Sequence, residues 1–453
     1  FNRGPWWGRV VAPEPRELVC NTEAWSAGTR GPSRGRLLLA PQTVEELAAM
    51  KGQLEGVWLL DPPLRGPFDQ VRDAVEAEGG FGFVGGARND LLITGGRMNV
   101  DFDALPQVPF VRLTAEDHDA LRNAVKAGEE VVVEFDIRNH FRKGPIPLYN
   151  VIADLPGTTH PHEFVVVGGH LDSWDGATGT TDNGTGTATT IEAARILTAI
   201  GSKPGRTIRF MLWSGEEQGL LGSRAWVQAH KDEMEQYSAC LVHDGGTNYV
   251  SGIAGMAEMH PQLDTVFAPV LDLSGEMPFR IRDIEAFRPI GSDHESFTAA
   301  GVPGFFWDQA GRANYTHTHH TQFDTYDAAI PEYQKHSSVV IATGALGLAN
   351  LPELLTRENM KVQRGFGGGG RRGGARGLGL QLGDDGVSIA GIGDGTPAAK
   401  AGFAVGDKLL KVGDTKIESR RDLFGALRGA SGTVTVTVER GGEQLELKVP
   451  TGR

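Results

Sequence analysis

Apolar positions between residues 146 and 362 fall into short uninterrupted runs that alternate with longer mixed segments. The runs EFVVVGG, RTIRFMLW and YSACLV are typical of parallel strands that are covered on both faces. The segments TATTIEAARILTAI, GLLGSRAWVQAHKDEMEQ and EYQKHSSVVIATGALGLANL are typical of helices. This alternation predicts an α/β domain over residues 146–362, with a mainly parallel sheet flanked by helices.

The regions on either side of this domain have other patterns. Residues 1–145 contain many turn residues, few helical stretches and short β-like runs such as RLLLA, VWLLD, FGFVG and VVVEFDI, which predicts a β-rich module. Residues 363–377 are rich in Gly and Arg, with eight glycines in 365–377, and predict a flexible linker. Globular patterning with short strands resumes over 378–453, so a further β domain is expected there.

Composition and charge exclude several classes of function. The formal net charge is −13, and because residues 366–453 carry +3, the main body carries −16, which argues against a nucleic-acid partner. No apolar run approaches the ~20 residues of a membrane helix, so no membrane span is expected. Only two cysteines occur, Cys20 and Cys240, far apart, which favours free thiols over a disulfide framework.

Metal-binding side chains occur in five segments, at points where strands should end: GGHLDS, TTDNGTG, WSGEEQG, LVHDGG and HTHHTQFDT. Ligands of open α/β sheets bind beyond the carboxyl ends of the strands, so these segments should meet in one crevice. Imidazole nitrogens and carboxylate oxygens suit zinc. Two zinc ions that share a hydroxide need a bridging carboxylate and lie ~3.5–4 Å apart. The pattern therefore predicts a two-metal hydrolase site.

Residue types within these segments suggest individual roles. Asp182 is the natural bridging carboxylate, because Gly184 and Gly186 let the backbone approach closely. Asp172 follows His170 by two residues and is expected to orient its imidazole.

The adjacent carboxylates Glu216 and Glu217 predict a division of roles. One of them should bind metal, while its neighbour should face the attacking water as general base. Their sequence context by itself leaves the order of the two open.

The combination HxD, DNGTG, GEE, a downstream Asp and a late HTxxDT resembles the co-catalytic zinc aminopeptidases. Residues 1–362 as a whole resemble the carboxypeptidase Q (plasma glutamate carboxypeptidase-like) branch of that family. The resemblance implies two Zn²⁺ per chain and the following roles: His170 and Asp244 on one zinc, Glu217 and His320 on the other, Asp182 as the bridge and Glu216 as the base. We count Asp172, from its position after His170, as a catalytic residue together with Glu216.

The resemblance also implies a biological setting. Residues 1–145 would form a protease-associated insert, the substrates would be short peptides with a free amino end, and the protein would be secreted or periplasmic. The chain opens with FNRGPWWGRV, without an initiator Met or a targeting segment, so we expect a processed or truncated form.

Two histidine assignments stay open in the sequence. His319 is the alternative to His320 as a ligand, since both lie in HTHHTQFDT. His294, in GSDHESF, either lies near the site, as the family resemblance suggests, or caps a helix.

Residues 378–450 resemble a PDZ domain of the bacterial protease type. Residues 377–380, GLGL, are similar to the GLGF carboxylate-binding loop, GTPAAKAGFAVGDKLLKVGDTKI is similar to the central stretch, and SRRDLFGALRGA would be the groove helix. A C-terminal peptide is the ligand that this resemblance implies. The alternative is a module that only docks on its own catalytic domain.

The function expected from these observations is that of a zinc-dependent exopeptidase, an aminopeptidase or dipeptidase. A metal-bridged hydroxide would attack the peptide carbonyl, while Glu216 would take the proton and later pass it to the leaving amine. Two alternatives belong to other classes: a glutaminyl cyclase-like acyltransferase and a non-catalytic binding scaffold.

Overall fold

The computed structural model describes residues 1–363, except 64, 65, 97 and 99, and residues 378–451, except 379, 384, 393–395, 418, 420, 421, 424, 425 and 428–431. The chain divides into two compact units after Gln363. The predicted linker beyond Gln363, both glycines of the GLGL loop and much of the predicted groove helix lie outside the described residues.

The N-terminal part of the first unit is built on one mixed sheet. Its strands are β1 (Trp6–Ala12), β2 (Arg16–Leu18), β3 (Cys20–Thr22), β4 (Ser33–Leu39), β5 (Val57–Leu60), β6 (Gly82–Gly86), β7 (Phe110–Leu113) and β8 (Val132–Ile137), and its helices are α1 (Val44–Ala49), α2 (Phe68–Glu78) and α3 (Ala115–Lys126). The strand order is β2-β1-β8-β4-β5-β6-β7-β3. Strands β4 to β7 pair in parallel, and the other pairings are antiparallel.

This region contains more helix than its sequence pattern predicts. The expected runs lie in β4, β5, β6 and β8, but α1, α2 and α3 occupy connections between them. The helices are rich in charged residues and bury only a narrow face, for example Val71 and Val75 of α2. A parallel pairing such as β5 with β6 requires a crossover connection, which α2 supplies.

The remainder of the first unit, from residue 146, contains strands and helices in alternation. The strands are β9 (Val151–Leu155), β10 (His160–His170), β11 (Arg206–Trp213), β12 (Tyr237–Val242), β13 (Tyr249–Gly255), β14 (Arg280–Asp283), β15 (Gly304–Phe306) and β16 (Asp308–Ala310). The helices are α4 (Thr185–Ala199), α5 (Leu221–Ala229), α6 (His260–Leu271), α7 (His294–Ala299), α8 (Tyr315–Thr318) and α9 (Pro331–Ala349).

The central sheet of this region has the order β15-β12-β10-β11-β9. Strands β15, β12, β10 and β11 pair in parallel, and β9 pairs antiparallel to β11 at the edge. A smaller sheet has the order β14-β13-β16, and its strands come before and after β15 in the chain.

Helices cover both faces of the central sheet, as its continuous apolar runs require. In β10, Val165 and Val167 pack into a core with residues of α4, α6 and α9. The alternate residues Phe164 and Val166 pack into a second core with Phe297 of α7. Because successive side chains of a strand point to opposite faces, a run without polar residues is stable only in such a sandwich.

The C-terminal unit has its own core. Its strands are β17 (Leu380–Leu382), β18 (Ile389–Ile392), β19 (Lys408–Val412), β20 (Thr415–Lys416), β21 (Gly432–Arg440) and β22 (Glu443–Thr451), and α10 spans Pro397–Ala401. Leu378 and Leu380 of the GLGL segment are both buried in this core. The helix α10 begins at Pro397 after a Thr396 side-chain cap and ends at Gly402, whose φ of 86° favours glycine.

Two expectations from composition can be compared with the structure. Cys20 and Cys240 are free cysteines, as expected. Among the described residues, no helix combines the length and the apolar character needed to cross a membrane.

Candidate metal centre

Two sets of ligand-type side chains meet on the carboxylate of Asp182. On one side, His170 Nε2 lies 3.2 Å from Asp182 Oδ1 and 3.0 Å from Asp244 Oδ1. On the other side, His320 Nε2 lies 3.0 Å from Asp182 Oδ2 and 3.0 Å from Glu217 Oε2. Each oxygen of Asp182 therefore belongs to a different set, which is the arrangement of a bridging ligand.

The parallel sheet brings these residues together. Four of the ligand-type residues lie at strand ends: His170 ends β10, Glu216 and Glu217 follow β11, and Asp244 follows β12. The other two lie next to helices: Asp182 precedes α4, and His320 follows α8. Because parallel strands end at the same edge of a sheet, residues far apart in the chain converge there. All five predicted metal ligands lie in this crevice.

Close backbone packing holds the Asp182 segment against the sheet. A Cβ atom at Gly186 would collide with the carbonyl oxygen of His243 and with the side chain of Asn183. Asn183 Nδ2 donates to the carbonyl oxygen of His243 at 2.9 Å, and its Oδ1 accepts from the amide of Gly186 at 3.1 Å. The glycine in this position is thus required by the approach of the helix start to the end of β12.

A carboxylate that the sequence analysis did not single out anchors the same segment. Asp324 accepts hydrogen bonds from the amides of Thr181, at 2.6 Å, and Asp182, at 3.1 Å. It lies in the same HTHHTQFDT segment as His320. Asp324 therefore ties the bridging residue to the loop that carries His320.

The carboxylate of Asp172 fixes the segment that carries Glu216 and Glu217 in the same way. It accepts from the amides of Glu216, at 3.1 Å, and Glu217, at 3.2 Å. The imidazole Nδ1 of His170 lies 2.8 Å from the backbone carbonyl oxygen of Asp172 and 3.8 Å from its carboxylate. In this geometry the main chain of Asp172 orients the imidazole, and its side chain fixes the turn that carries the two glutamates.

Burial and crowding of carboxylates set the electrostatics of the crevice. Burial raises the pKa of Glu216 well above its ordinary value, and the charges of Asp244 and Asp293 raise it further. Burial also raises the pKa of Glu217 to about 7. Asp293 was not singled out from the sequence, although it lies in GSDHESF; burial raises its pKa to about 7.

The histidines respond to the same charges. Burial opposes protonation of His170, but the carboxylates of Asp244 and Asp182 outweigh it and raise the pKa of His170 well above its ordinary value. For His320, hydrogen bonds to Asp182 and Glu217 overcome burial and raise its pKa to about 10. The arrangement thus favours positive charge at the positions between the carboxylates.

The two open histidine assignments differ in geometry. His319 Nε2 lies 3.7 Å from Asp182 Oδ2, farther than His320, and its side chain is 47% exposed against 32% for His320. The distances favour His320 as the ligand. His294 is the first residue of α7 and is buried, and burial lowers its pKa to about 4.

The chemistry of the donor set fits zinc. Within the described part of the chain, two groups of three ligand-type residues could hold an ion, and both contain Asp182: one with His170 and Asp244, the other with His319 and His320. The buried Oε1 of Glu217 has no hydrogen-bond partner among the described residues. Unpaired buried carboxylate oxygens next to imidazoles are what a catalytic zinc site offers before the ion binds.

Two parts of the chain match known protein families. Residues 150–344 match peptidase family M28, and residues 374–451 match the PDZ domain. The resemblance found in the sequence is therefore confirmed.

Among curated proteins, the chain is similar to carboxypeptidase Q of Xenopus laevis. The two chains are 29% identical over 256 residues, which cover 56% of this chain and 52% of the relative. The chain thus spans about half the length of the curated relatives that it matches.

Solved structures share the fold. A peptidase M28 precursor from Shewanella amazonensis SB2B has a TM-score of 0.57 at 26% identity, over 78% of this chain and 82% of its own. A zinc aminopeptidase from Bacillus subtilis has a TM-score of 0.50 at 17% identity, over 79% of this chain and 85% of its own. At that identity, the second likeness shows the fold alone.

We predict that Asp324→Asn weakens zinc binding by ~10–100-fold, the usual effect of losing a group that orients a ligand. The substitution removes one of the two amide contacts that hold Thr181 and Asp182 in place. Chelator competition measures the affinity. Asp385→Asn is the control in the C-terminal unit: Asp385 Oδ1 accepts from the amides of Val387 and Ser388, and the substitution there removes the one hydrogen bond that Oδ2 accepts from the Ser388 hydroxyl. Equal zinc affinity for both variants would remove the anchoring role of Asp324.

Proposed function

We propose that this chain is a zinc-dependent exopeptidase that removes residues from short peptides with a free amino terminus. The observation that carries the proposal is the Asp182 carboxylate, whose two oxygens face separate sets of ligand-type residues. A structural zinc site closes four ligands around one ion, whereas hydrolytic sites with two ions share a bridging carboxylate.

The proposed ligands divide as the distances suggest. Two zinc ions bound there would polarise the scissile carbonyl and make a water molecule between them more acidic. His170 and Asp244 would hold one ion, Glu217 and His320 the other, and Asp182 both.

Glu216 is the proposed general base. Its amide is fixed by Asp172, so its carboxylate is held next to the ligand Glu217 without being needed for binding. Burial keeps its pKa above the ordinary value, which suits a group that first takes a proton from water and then gives it to the leaving amine. Asp172 is proposed to hold the backbone of both glutamates in position.

The preference for a free amino end is supported by charge. Glu216 is slightly exposed and lies among buried carboxylates such as Asp244, and a substrate ammonium group near Glu216 would interact favourably with their negative charge. Relatives carry the names carboxypeptidase Q and zinc aminopeptidase, both of which describe exopeptidases. The choice between aminopeptidase and dipeptidase stays part of the proposal.

The alternatives are less well supported. The match is to a peptidase family, so a glutaminyl cyclase-like reaction is not favoured. A non-catalytic scaffold is not favoured either, because every predicted ligand and Glu216 lie in the crevice. A protease-associated identity for residues 1–145, domain boundaries at 145 and 146, and a secreted or periplasmic location stay predictions.

The C-terminal unit is proposed to bind a peptide carboxylate. The PDZ match covers the GLGL segment, whose Leu378 and Leu380 are buried in the core of the unit. A loop of this kind offers backbone amides to a terminal carboxylate while the peptide adds as a strand. The unit would then raise the local concentration of longer substrates.

We predict different phenotypes for the two adjacent glutamates. Glu216→Gln should keep its zinc while kcat falls by ~10²–10⁴, the usual range for a positioned general base. Glu217→Gln should lose zinc from one site, because its Oε2 lies 3.0 Å from His320 Nε2. Metal analysis and peptide hydrolysis on the same samples test both statements. Swapped phenotypes would reverse the assignment of base and ligand.

We further predict that a chain ending at Gln363 hydrolyses di- and tripeptides with unchanged kcat/KM. The truncated chain keeps residues 361–363 because they pair with Phe287. The amide of Gln363 donates to the carbonyl oxygen of Phe287, and the amide of Phe287 donates to the carbonyl oxygen of Lys361. Activity should fall only on longer peptides, for which carboxylate capture raises the effective concentration. Equal losses on dipeptides and long peptides would show instead that the C-terminal unit supports the active site.

A further inference from the structure

We propose that residues 90–96 of the N-terminal module position His320 for metal binding, so that this module is a working part of the metal centre. The inference rests on the proposed role of His320 as a ligand. It adds a group of residues that neither the sequence motifs nor the comparisons assign to the site.

His320 itself shows why such support is needed. Its φ of 55° places a residue with a side chain in the left-handed region. That conformation is uncommon outside glycine and persists where the surroundings hold it, often at functional sites. In this conformation, the ring of His320 reaches both Asp182 and Glu217.

The 90–96 segment bonds directly to that turn. The amide of Thr94 donates to the carbonyl oxygen of His320 at 2.9 Å. The next residues continue the pairing: Ile93 and Thr321 form an antiparallel bridge, and the amide of Gln322 donates to Leu92 at 3.2 Å. The carbonyl group of the strained residue is thus held by the main chain of the N-terminal module.

The side chain of Gln322 adds two hydrogen bonds between the same two segments. Its Oε1 accepts from the amide of Leu92 at 2.7 Å, and its Nε2 donates to the carbonyl oxygen of Asp90 at 2.6 Å. One glutamine, two residues after His320, therefore binds the 90–96 segment through both polar atoms of its side chain.

A buried arginine secures the segment to a second loop of the centre. The side chain of Arg3 is 1% exposed, its Nη2 donates to the carbonyl oxygen of Thr94 at 3.2 Å, and its Nε lies 3.1 Å from Asp175 Oδ1. Asp175 lies in the loop that follows His170. The N-terminal module thus holds loops from both ligand sets.

A contact between aromatic rings also supports His320. The edge of Trp174 meets the ring of His320 with centroids 6.2 Å apart. A Cβ atom at Gly95 would lie 3.3 Å from the indole nitrogen of Trp174, so the 90–96 segment lies against this indole. The imidazole is therefore supported through its backbone and through a neighbouring ring, and both supports depend on the N-terminal module.

The test compares two glutamine variants of the full-length chain. Gln322→Met removes both hydrogen bonds to the 90–96 segment and preserves the length of the side chain. Gln262→Met is the matched control, because Gln262 also accepts from one backbone amide, Thr356, and donates to one carbonyl, Leu354, away from the crevice. Both variants lose the same kind of contact, so a general loss of stability should affect them alike.

The measurement is stepwise zinc affinity by chelator competition on metal-free protein. In Gln322→Met, we expect one zinc to bind as in the wild type and the zinc held by His320 and Glu217 to bind ~10–100-fold more weakly, the range for groups that orient a ligand. In Gln262→Met, both affinities should be unchanged.

Three results would contradict the inference or its basis in distinguishable ways. If Gln322→Met and Gln262→Met bind both ions like the wild type, the 90–96 segment has no positioning role. If both variants lose both ions equally, the effect is one of stability and the positioning role is also overturned. If the wild type itself binds fewer than two ions, the proposed function fails first, and the role assigned to the segment fails with it.

Discussion

The rest of the structure depends on one constraint: several carboxylates are buried side by side in a single crevice. Asp182, Glu217 and Asp293 are each less than 6% exposed. Burial is the largest cause that raises the pKa values of Glu217 and Asp293 to about 7, although neighbouring histidines act in the opposite direction. Such a cluster is unfavourable unless positive charge lies between its members, and protonated imidazoles or metal cations can supply it.

The architecture around the crevice can be understood as a means of holding these groups at fixed positions. The parallel sheet presents the ends of β10, β11 and β12 at one edge. Two further carboxylates, Asp172 and Asp324, each accept two backbone amides and so fix the segments that carry Glu217 and Asp182. The N-terminal module then holds the loop of His320. Each ligand segment is therefore tied to another element far away in the sequence.

The sequence predicted those parts of this arrangement that depend on local pattern. The apolar runs of β10, β11 and β12 and the ligand-type residues that follow them could be found because periodicity and residue type are local signals. The helix α3 was not singled out in the sequence, since its charged surface leaves only a narrow apolar face. The competition between His319 and His320 could not be decided either, because it depends on which imidazole reaches Asp182.

Contacts between distant segments left weaker traces. Asp324 and Asp293 both lay in motifs noticed in the sequence, yet nothing in those motifs tells that one would accept amides of Thr181 and Asp182 or that the other would be buried near Glu216. The pairing of residues 92–94 with 320–322 has no sequence signal at all, because an antiparallel bridge between two loops requires no particular side chain. Such features become visible only when the chain is folded.

The most direct test of the two-metal centre is anomalous diffraction at the zinc edge from crystals of the chain grown with zinc. The account predicts two peaks ~3.5–4 Å apart, the spacing of ions that share a bridging group. One peak should lie among His170, Asp182 and Asp244, and the other among Asp182, Glu217 and His320. A single peak, or a second peak bound by His319 in place of His320, would contradict it.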